Sequence, residues 1–297
     1  MKDMIDTLIY ERAPWLASPS PLATVSKYCL KHLLNYRATV AKAYDLKPLS
    51  GHKVLDAMSE DIAQHVRARG LQNLPTSGAA LIVANHPTGI ADAIILHHVL
   101  RRKRPDLYFF ANNDVLRVFP QLETHIAPVE WRKEKRSKSR TQATLQFTKQ
   151  AMEDRRLGVI FPSGRLAKRT GLKLVERDWM TSAATLTKKY DVPIIPVHIS
   201  ARNSYLFYMF DIIHPTLRDI TLFKETLNKK DFRFDVTLGI PLDPNALPDD
   251  PKLATSFLRS TVESLGDLPK KHQTKFWPKY WQANLKRHWK TILQTVS

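Results

Sequence analysis

The residues best equipped for chemistry lie in one stretch, Asn85-His86-Pro87-Thr88-Gly89-Ile90-Ala91-Asp92, directly after the apolar run Ala79–Ala84. A histidine takes a proton readily near neutral pH. A carboxylate bonded to its other ring nitrogen would fix the tautomer and stabilise the imidazolium. The order of residue types puts His86 where a strand ends, a Pro-Thr-Gly turn next, and Asp92 in the first turn of a helix. Side chains that act on ligands collect at the carboxyl ends of strands in open α/β sheets. His86 and Asp92 could also be a helix-capping arrangement, and it is the strand–turn–helix context that favours catalysis. A second block, Phe161-Pro162-Ser163-Gly164-Arg165, follows the run GVIF. Such a turn exposes backbone N–H groups beside a guanidinium, which suits a phosphate or another anion. Lys168, Arg169 and Lys173 add to the positive field. The third block, Val192 to Val197, carries Pro193 and Pro196 and by itself indicates an edge or irregular strand.

These blocks need a scaffold. Ala79–Ala84, Leu107–Ala111, Gly158–Phe161, Pro193–Ile199 and Phe232–Leu238 read as strands. Ala91–Arg102, Ser139–Arg156 and Trp179–Lys189 read as helices between them. The alternation predicts an α/β fold with a mostly parallel central sheet flanked by helices. Upstream, Leu22, Val25, Cys29, Leu33, Tyr36, Val40 and Tyr44 recur at steps of three and four. That predicts one helix with a continuous stripe, Lys27, Lys31 and Lys42 opposite, and Leu30 and Leu34 widening the face. The stripe either packs on the main domain or lies on anionic lipid. A further helix is expected over Leu55–Arg69 with Gly70 as its stop, and another over Lys252–Leu265. Phe276–Leu293 reads as a basic, aromatic-rich helical tail. The expected division is an N-terminal helical appendage over 1–70, a catalytic domain over 71–245 and a C-terminal extension over 246–297.

Composition narrows the class. The 297 residues carry 46 Lys+Arg against 28 Asp+Glu, a formal charge of +18, and 43 % are hydrophobic. The apolar content excludes a disordered chain, and the charge points to an anionic partner. The single cysteine, Cys29, excludes a disulfide framework. Asp3, Asp6 and Glu11 interrupt the place where a signal peptide would have its apolar core. The least charged stretch, Thr76–Leu100, contains His86 and Asp92, so no transmembrane helix is expected. His97, His98, His125 and His198 form no recognisable ligand set with acidic residues, and no metal is expected.

Taken together, the three blocks resemble the glycerolipid acyltransferases, the family that includes lysophosphatidic acid acyltransferases. That family carries N-H-x-x-x-x-D, then F-P-E-G-T-R, then V-P-I-x-P-V. Asn85, His86, Asp92, Phe161, Pro162, Gly164, Arg165, Pro193 and Pro196 match in order, over roughly residues 70–240. Pro128-Val129-Glu130-Trp131-Arg132 is a weaker fourth match, where the family often has a strand ending in arginine. Two departures stand out. Five residues separate His86 from Asp92 instead of four, and Gly89 suits the turn that must absorb the extra one. The spacing also resembles a bacterial subgroup with N-H-P-x-G-x-x-D, which Pro87 and Gly89 match. Ser163 stands where the family has glutamate, and Arg165 arrives one position early. That block is associated with the acceptor's phosphate, so the acceptor could be another lysolipid, including a lyso-aminolipid such as lyso-ornithine lipid.

The resemblance implies acyl transfer from acyl-CoA or acyl carrier protein to a lysolipid hydroxyl, with no bound cofactor. His86 would be the general base and Asp92 its orienting partner. Arg132, Ser163, Gly164, Arg165 and Lys168 would hold the acceptor headgroup. With no signal peptide or transmembrane helix expected, the protein is expected to be cytoplasmic, peripheral on the cytoplasmic face of the inner membrane. The N-terminal helix, the run Tyr205–Phe210 and the tail with Trp277, Tyr280, Trp281 and Trp289 are candidate lipid contacts. Three rivals remain at this point. A nucleic-acid binder would use the basic runs 101–104 and 132–140, although no recognition motif accompanies them. A hydrolase would need a G-x-S-x-G elbow, which is missing. A catalytically silent lipid binder would place His86 and Asp92 too far apart to bond.

Overall fold

The computed structural model describes residues 1–130, 137–170 and 173–267. In chain order its elements are α1 (Lys2–Arg12), α2 (Pro21–Leu33), α3 (Tyr36–Leu46), α4 (Gly51–Ile62), β1 (Val66–Arg69), β2 (Ala80–Ala84), α5 (Ile90–Leu100), β3 (Leu107–Asn112), α6 (Asp114–Val118) and β4 (Ile126–Val129). They continue as α7 (Lys138–Glu153), β5 (Leu157–Ile160), β6 (Lys168–Thr170), β7 (Lys173–Val175), α8 (Ser182–Tyr190), β8 (Ile194–Ser200), α9 (Tyr205–Ile213), α10 (Pro215–Leu227), β9 (Phe234–Leu238) and α11 (Pro251–Gly266).

Seven strands form one sheet in the order β1-β9-β8-β2-β5-β3-β4. All neighbours are parallel except β8 and β9. The fold is therefore α/β with a mostly parallel sheet, as the alternating pattern predicts. β2 lies at the centre and is buried throughout, which explains its unbroken apolar run. Its pleat divides the core: Ala80, Ile82 and Ala84 join the cluster shared with α4 and α5, while Leu81 and Val83 join the cluster of Ala183, Leu258 and Val262 from α8 and α11. Val54, Leu55 and Ile62 on one side of the sequence and Leu258 and Val262 on the other lie in these cores. The core thus extends past the expected limits at 71 and 245.

Several local expectations are corrected. The N-terminal stripe is not one helix: Asn35 adopts φ 51° and separates α2 from α3. Nor does its α2 portion pack on the domain. Leu22, Val25, Cys29 and Leu33 are exposed, Leu22 at 77 %. The inward side is built from Ala23, Leu30 and Leu34, with Leu30 and Leu34 packing against Ile220 of α10. Lys27 and Lys31 come with it, their ammonium groups over the rings of Tyr10 and Tyr36. Long lysine stems cover apolar surface while their charged ends find partners, so a lysine-bearing face can be the buried one.

The helix expected to Arg69 ends at Ile62. Val66-Arg67-Ala68-Arg69 is an edge strand paired with β9, and its apolar–basic alternation has the period of a half-covered strand. Gly70 ends that strand: its φ is +75°, and a Cβ there would come within 2.1 Å of the Leu238 carbonyl oxygen. The proline-bearing strand β8 is interior, between β9 and β2. Pro196 is tolerated because the β9 side is bulged there. Gly239 N–H donates to Pro196 O while Ile194 and Leu242 exchange both bonds, so two steps on β8 face three on the partner. β4 was indicated only through the resemblance at Pro128-Val129, and the β6–β7 pair was not anticipated as strands. Pro128 hides the first, and the second lies in the basic run after Arg165. Among the described residues no helix is long and apolar enough to cross a membrane. Arg132 and the tail 276–293 lie outside the described residues.

Candidate active site

β2 delivers Asn85 and His86 to its carboxyl end, next to the carboxyl ends of β5 and β8. Asn85 acts as an extension of the ladder. Its side-chain amide donates to Ile199 O at 2.9 Å and its oxygen accepts from Ile199 N at 2.7 Å, which fixes where the chain leaves the sheet. Pro87 and Thr88 make the turn, and Gly89 takes φ +85°. A Cβ at Gly89 would also press on Leu166 at 3.2 Å. This residue absorbs the extra position between His86 and Asp92.

The turn closes completely. His86 Nδ1 lies 3.0 Å from Asp92 Oδ2. Asp92 is fully buried in the first turn of α5, where the helix field favours a negative charge. Oδ2 also accepts from Thr88 N at 2.9 Å and Gly89 N at 3.0 Å, and Oδ1 accepts from the Thr88 hydroxyl at 2.5 Å. A carboxylate held by this many donors has one orientation, so the capping and catalytic readings describe the same contacts. With Asp92 as acceptor, Nδ1 carries the proton and the Nε2 lone pair is the basic one. Phe161 stacks on the imidazole at 4.2 Å between centroids, 23° from parallel, and sets the ring plane.

The chain that follows the second block holds His86 from behind. Ala167 N donates to His86 O at 3.0 Å, and His86 N donates to Glu176 Oε1 at 2.8 Å. Both main-chain groups of the histidine are thereby held by residues some eighty to ninety positions later. Glu176 takes a second bond from Trp179 Nε1 at 3.2 Å, and Arg259 donates to the Glu176 carbonyl. Burial pushes the Glu176 carboxyl up from its ordinary range, against the His86 and Trp179 hydrogen bonds that favour its charged form. The turn Phe161–Gly164 is closed by Gly164 N to Phe161 O at 2.9 Å, and the buried Ser163 hydroxyl donates to Arg165 O at 2.8 Å. Gly164 and Arg165 are exposed on the turn, and Lys168 is exposed at the start of β6.

The structure therefore gathers Asn85, His86, Pro87, Gly89, Asp92, Phe161 and Pro162 into one constellation. Pro196 lies on the adjoining strand β8 and Pro193 immediately before it, where its carbonyl accepts from Leu81 N. Thr88 and Glu176 belong to the constellation and were not singled out from sequence. Thr88 sits inside the motif, where a hydroxyl four residues before an aspartate was a usable signal. Glu176 had none, because its partner is a backbone N–H.

Arranged this way, a fixed imidazole with a buried carboxylate behind it can accept a proton from an alcohol and later return one to a leaving group. The chain matches a family model described as acyltransferase over residues 65–200. It is similar to two proteins named lyso-glycine lipid O-acyltransferase. The one from Phocaeicola vulgatus is 24 % identical over 219 residues, which is 72 % of this chain and 77 % of that protein. The one from Bacteroides thetaiotaomicron is 24 % identical over 246 residues, 80 % and 87 % of the two chains. Among solved structures, the 1-acyl-sn-glycerophosphate acyltransferase of Thermotoga maritima aligns with a TM-score of 0.48 at 15 % identity, covering 83 % of this chain and 99 % of that one.

Proposed function

We propose that this chain is a lysolipid acyltransferase of the glycerolipid acyltransferase family and that it acylates the hydroxyl of a lyso-amino-acid lipid. The observation that carries the mechanism is the 3.0 Å His86–Asp92 contact at the end of β2. His86 Nε2 takes the proton of the acceptor hydroxyl as its oxygen attacks the thioester carbonyl. The tetrahedral intermediate collapses with cleavage of the carbon–sulfur bond, and the imidazolium gives its proton to the leaving thiolate. Asp92 stabilises the imidazolium between the two steps. Backbone N–H groups of the Pro162–Arg165 turn are the candidate donors to the oxyanion.

Two features support an acceptor headed by an amino acid such as glycine or ornithine. Its similar relatives act, by name, on lyso-glycine lipid. Ser163 also replaces the carboxylate that the family motif carries, and its hydroxyl closes the turn on Arg165. Arg165, Lys168 and Arg132 supply the positive charge that an anionic headgroup requires. The donor is a long-chain thioester of coenzyme A or acyl carrier protein.

The acceptor must be drawn from a bilayer, and two apolar helix faces suit its anionic surface. One is the outward stripe Leu22, Val25, Tyr28 and Leu33 of α2. The other is Tyr205, Met209, Ile212 and Ile213 of α9, with Tyr205 93 % exposed. Phe207, Tyr208 and Phe210 hold α9 to the body. The chain's charge of +18 supplies the electrostatic attraction.

The test offers labelled acyl-CoA and acyl carrier protein thioesters with lyso-glycine lipid, lyso-ornithine lipid and lysophosphatidic acid in anionic vesicles. Diacyl product from an amino-acid acceptor, lost in His86→Ala, is expected. Product from lysophosphatidic acid alone would overturn the acceptor, and undiminished turnover by His86→Ala would overturn the base. Flotation with anionic vesicles should fall in a Leu22→Glu/Ile212→Glu double variant, and unchanged flotation would overturn the docking faces.

A further inference from the structure

Away from the His86–Asp92 pair, two helices bring imidazoles onto one carboxylate. α4 presents His52 and Asp56 one turn apart, on the same side of the helix. α5 places His97 against them, with Nε2 2.9 Å from Asp56 Oδ1. His52 Nε2 stands 3.4 Å from the other carboxylate oxygen. The His52 and His97 rings meet edge to face at 5.6 Å, and His125, just before β4, stacks on His52 at 6.2 Å. One ligand atom from each of His52, Asp56 and His97 can be chosen so that all lie within 4.8 Å of one another.

From this we infer that His52, Asp56 and His97 form a binding site for a divalent transition cation of the zinc type. The donor set selects the class. Two imidazoles and one carboxylate suit zinc and its neighbours, whereas calcium and magnesium prefer all-oxygen shells. The spacing agrees as well. Donors about 2.0–2.1 Å from a tetrahedral zinc stand about 3.3 Å apart, so the 3.4 Å gap between His52 and Asp56 is close to the bound separation. With all three ligand atoms within 4.8 Å of one another, reaching the bound separation requires movement of at most about 1.5 Å, within the reach of side-chain rotation.

The surroundings fit an entry path and a support. His97 is buried and defines the floor, while the His52 side chain is 46 % exposed and forms the rim. Arg101 hydrogen-bonds Asp56 Oδ1 and also reaches Glu60 at 3.5 Å. It orients the carboxylate through one oxygen and leaves Oδ2, the oxygen facing His52, for the cation. A bound ion would cross-link α4 to α5, the helix whose first turn holds Asp92.

The experiment uses the full chain, stripped with EDTA and dialysed, with zinc sulfate added in a calorimeter and thermal unfolding followed in parallel. Binding of one zinc with a rise in Tm is expected. His52→Ala, which removes the exposed rim ligand, should weaken binding about tenfold or more and leave the metal-free Tm unchanged. Asp56→Asn should weaken it similarly. Magnesium chloride at the same concentrations should neither bind nor compete. Absence of zinc binding, binding that survives His52→Ala and Asp56→Asn, or equal competition by magnesium would each overturn the site. None of these readouts depends on acyl transfer, so they stand apart from the test of the proposed reaction.

Discussion

Replacing Asp92 by asparagine separates the charge of that carboxylate from its shape. Oδ2 accepts three N–H groups, from His86, Thr88 and Gly89, while Oδ1 meets only the Thr88 hydroxyl. An amide oxygen placed at Oδ2 keeps all three. The amide nitrogen then faces a hydroxyl that can turn from donor to acceptor. Asp92→Asn therefore preserves the turn and the His86 tautomer, at a stability cost of about 1 kcal/mol for weaker neutral hydrogen bonds. What disappears is the attraction between the carboxylate and the imidazolium formed during reaction. At an effective dielectric of ~20 and about 4 Å between charge centres, that attraction is about 4 kcal/mol. At 1.36 kcal/mol per decade, kcat should fall ~10³-fold. The Michaelis constants should change little, because the imidazolium is absent from the ground state. Steady-state transfer with the preferred lysolipid, alongside a thermal melt of the same preparation, measures both. A kcat within about fivefold of the parent, at unchanged Tm, would refute the reasoning and reduce Asp92 to a helix cap.

Three further outcomes follow from contacts elsewhere. Gly89→Ala places a Cβ at φ +85° and 3.2 Å from Leu166, so it should lower stability by about 1–3 kcal/mol and disturb the His86–Asp92 distance, read as a drop in both Tm and kcat. Lys229 is fully buried and bonds Glu225 at 2.9 Å, while Glu225 also takes Ser204 N and Oγ. Lys229→Met should therefore cost about 3 kcal/mol in urea unfolding by leaving a buried carboxylate without its countercharge, and a neutral result would refute the pairing. Burial pushes His198 down from its ordinary value, although Asp267 and Glu263 pull it up. The folded state resists its protonation, so stability should fall as pH drops below the ordinary histidine value near 6.5. His97, His98 and His125 are pushed down by burial as well, so His198→Gln should reduce the slope of that part of the stability–pH curve without abolishing it, and an unaltered slope would assign the acid sensitivity to those groups.

Much of this fold was legible because its central strands have uncommonly plain sequences. Ala80–Ala84 and the GVIF run are buried on both faces, and continuous apolar residues announce that. His86 and Asp92 were legible for a related reason: a turn after such a strand leaves few other places for polar side chains. The misreadings share one cause, which is that periodicity reports an apolar stripe without reporting what lies against it. In α2 the stripe faces outward and the lysine-bearing side packs inward. At Val66–Arg69 four residues were too few to distinguish the end of a helix from an edge strand. Glu176 was invisible because it serves a main-chain amide, and His52, Asp56 and His97 because only the packing of α4 on α5 unites them.

The grip on His86 has a consequence in time. The histidine and its aspartate are neighbours in sequence, yet the main chain on both sides of the ring is secured by Ala167 and Glu176. A nascent chain that has emerged only through β3 carries His86, Asp92 and the Thr88 and Gly89 donors to the carboxylate, but none of the contacts that secure the His86 main chain. Competence must therefore arise late, when β5 has docked beside β2 and the following segment has closed over the turn. Contacts of such long sequence separation form slowly. The same dependence offers a handle for evolution and for engineering: substitutions between Leu166 and Trp179 can retune the orientation of the imidazole proposed as the base while His86 and Asp92 themselves stay untouched.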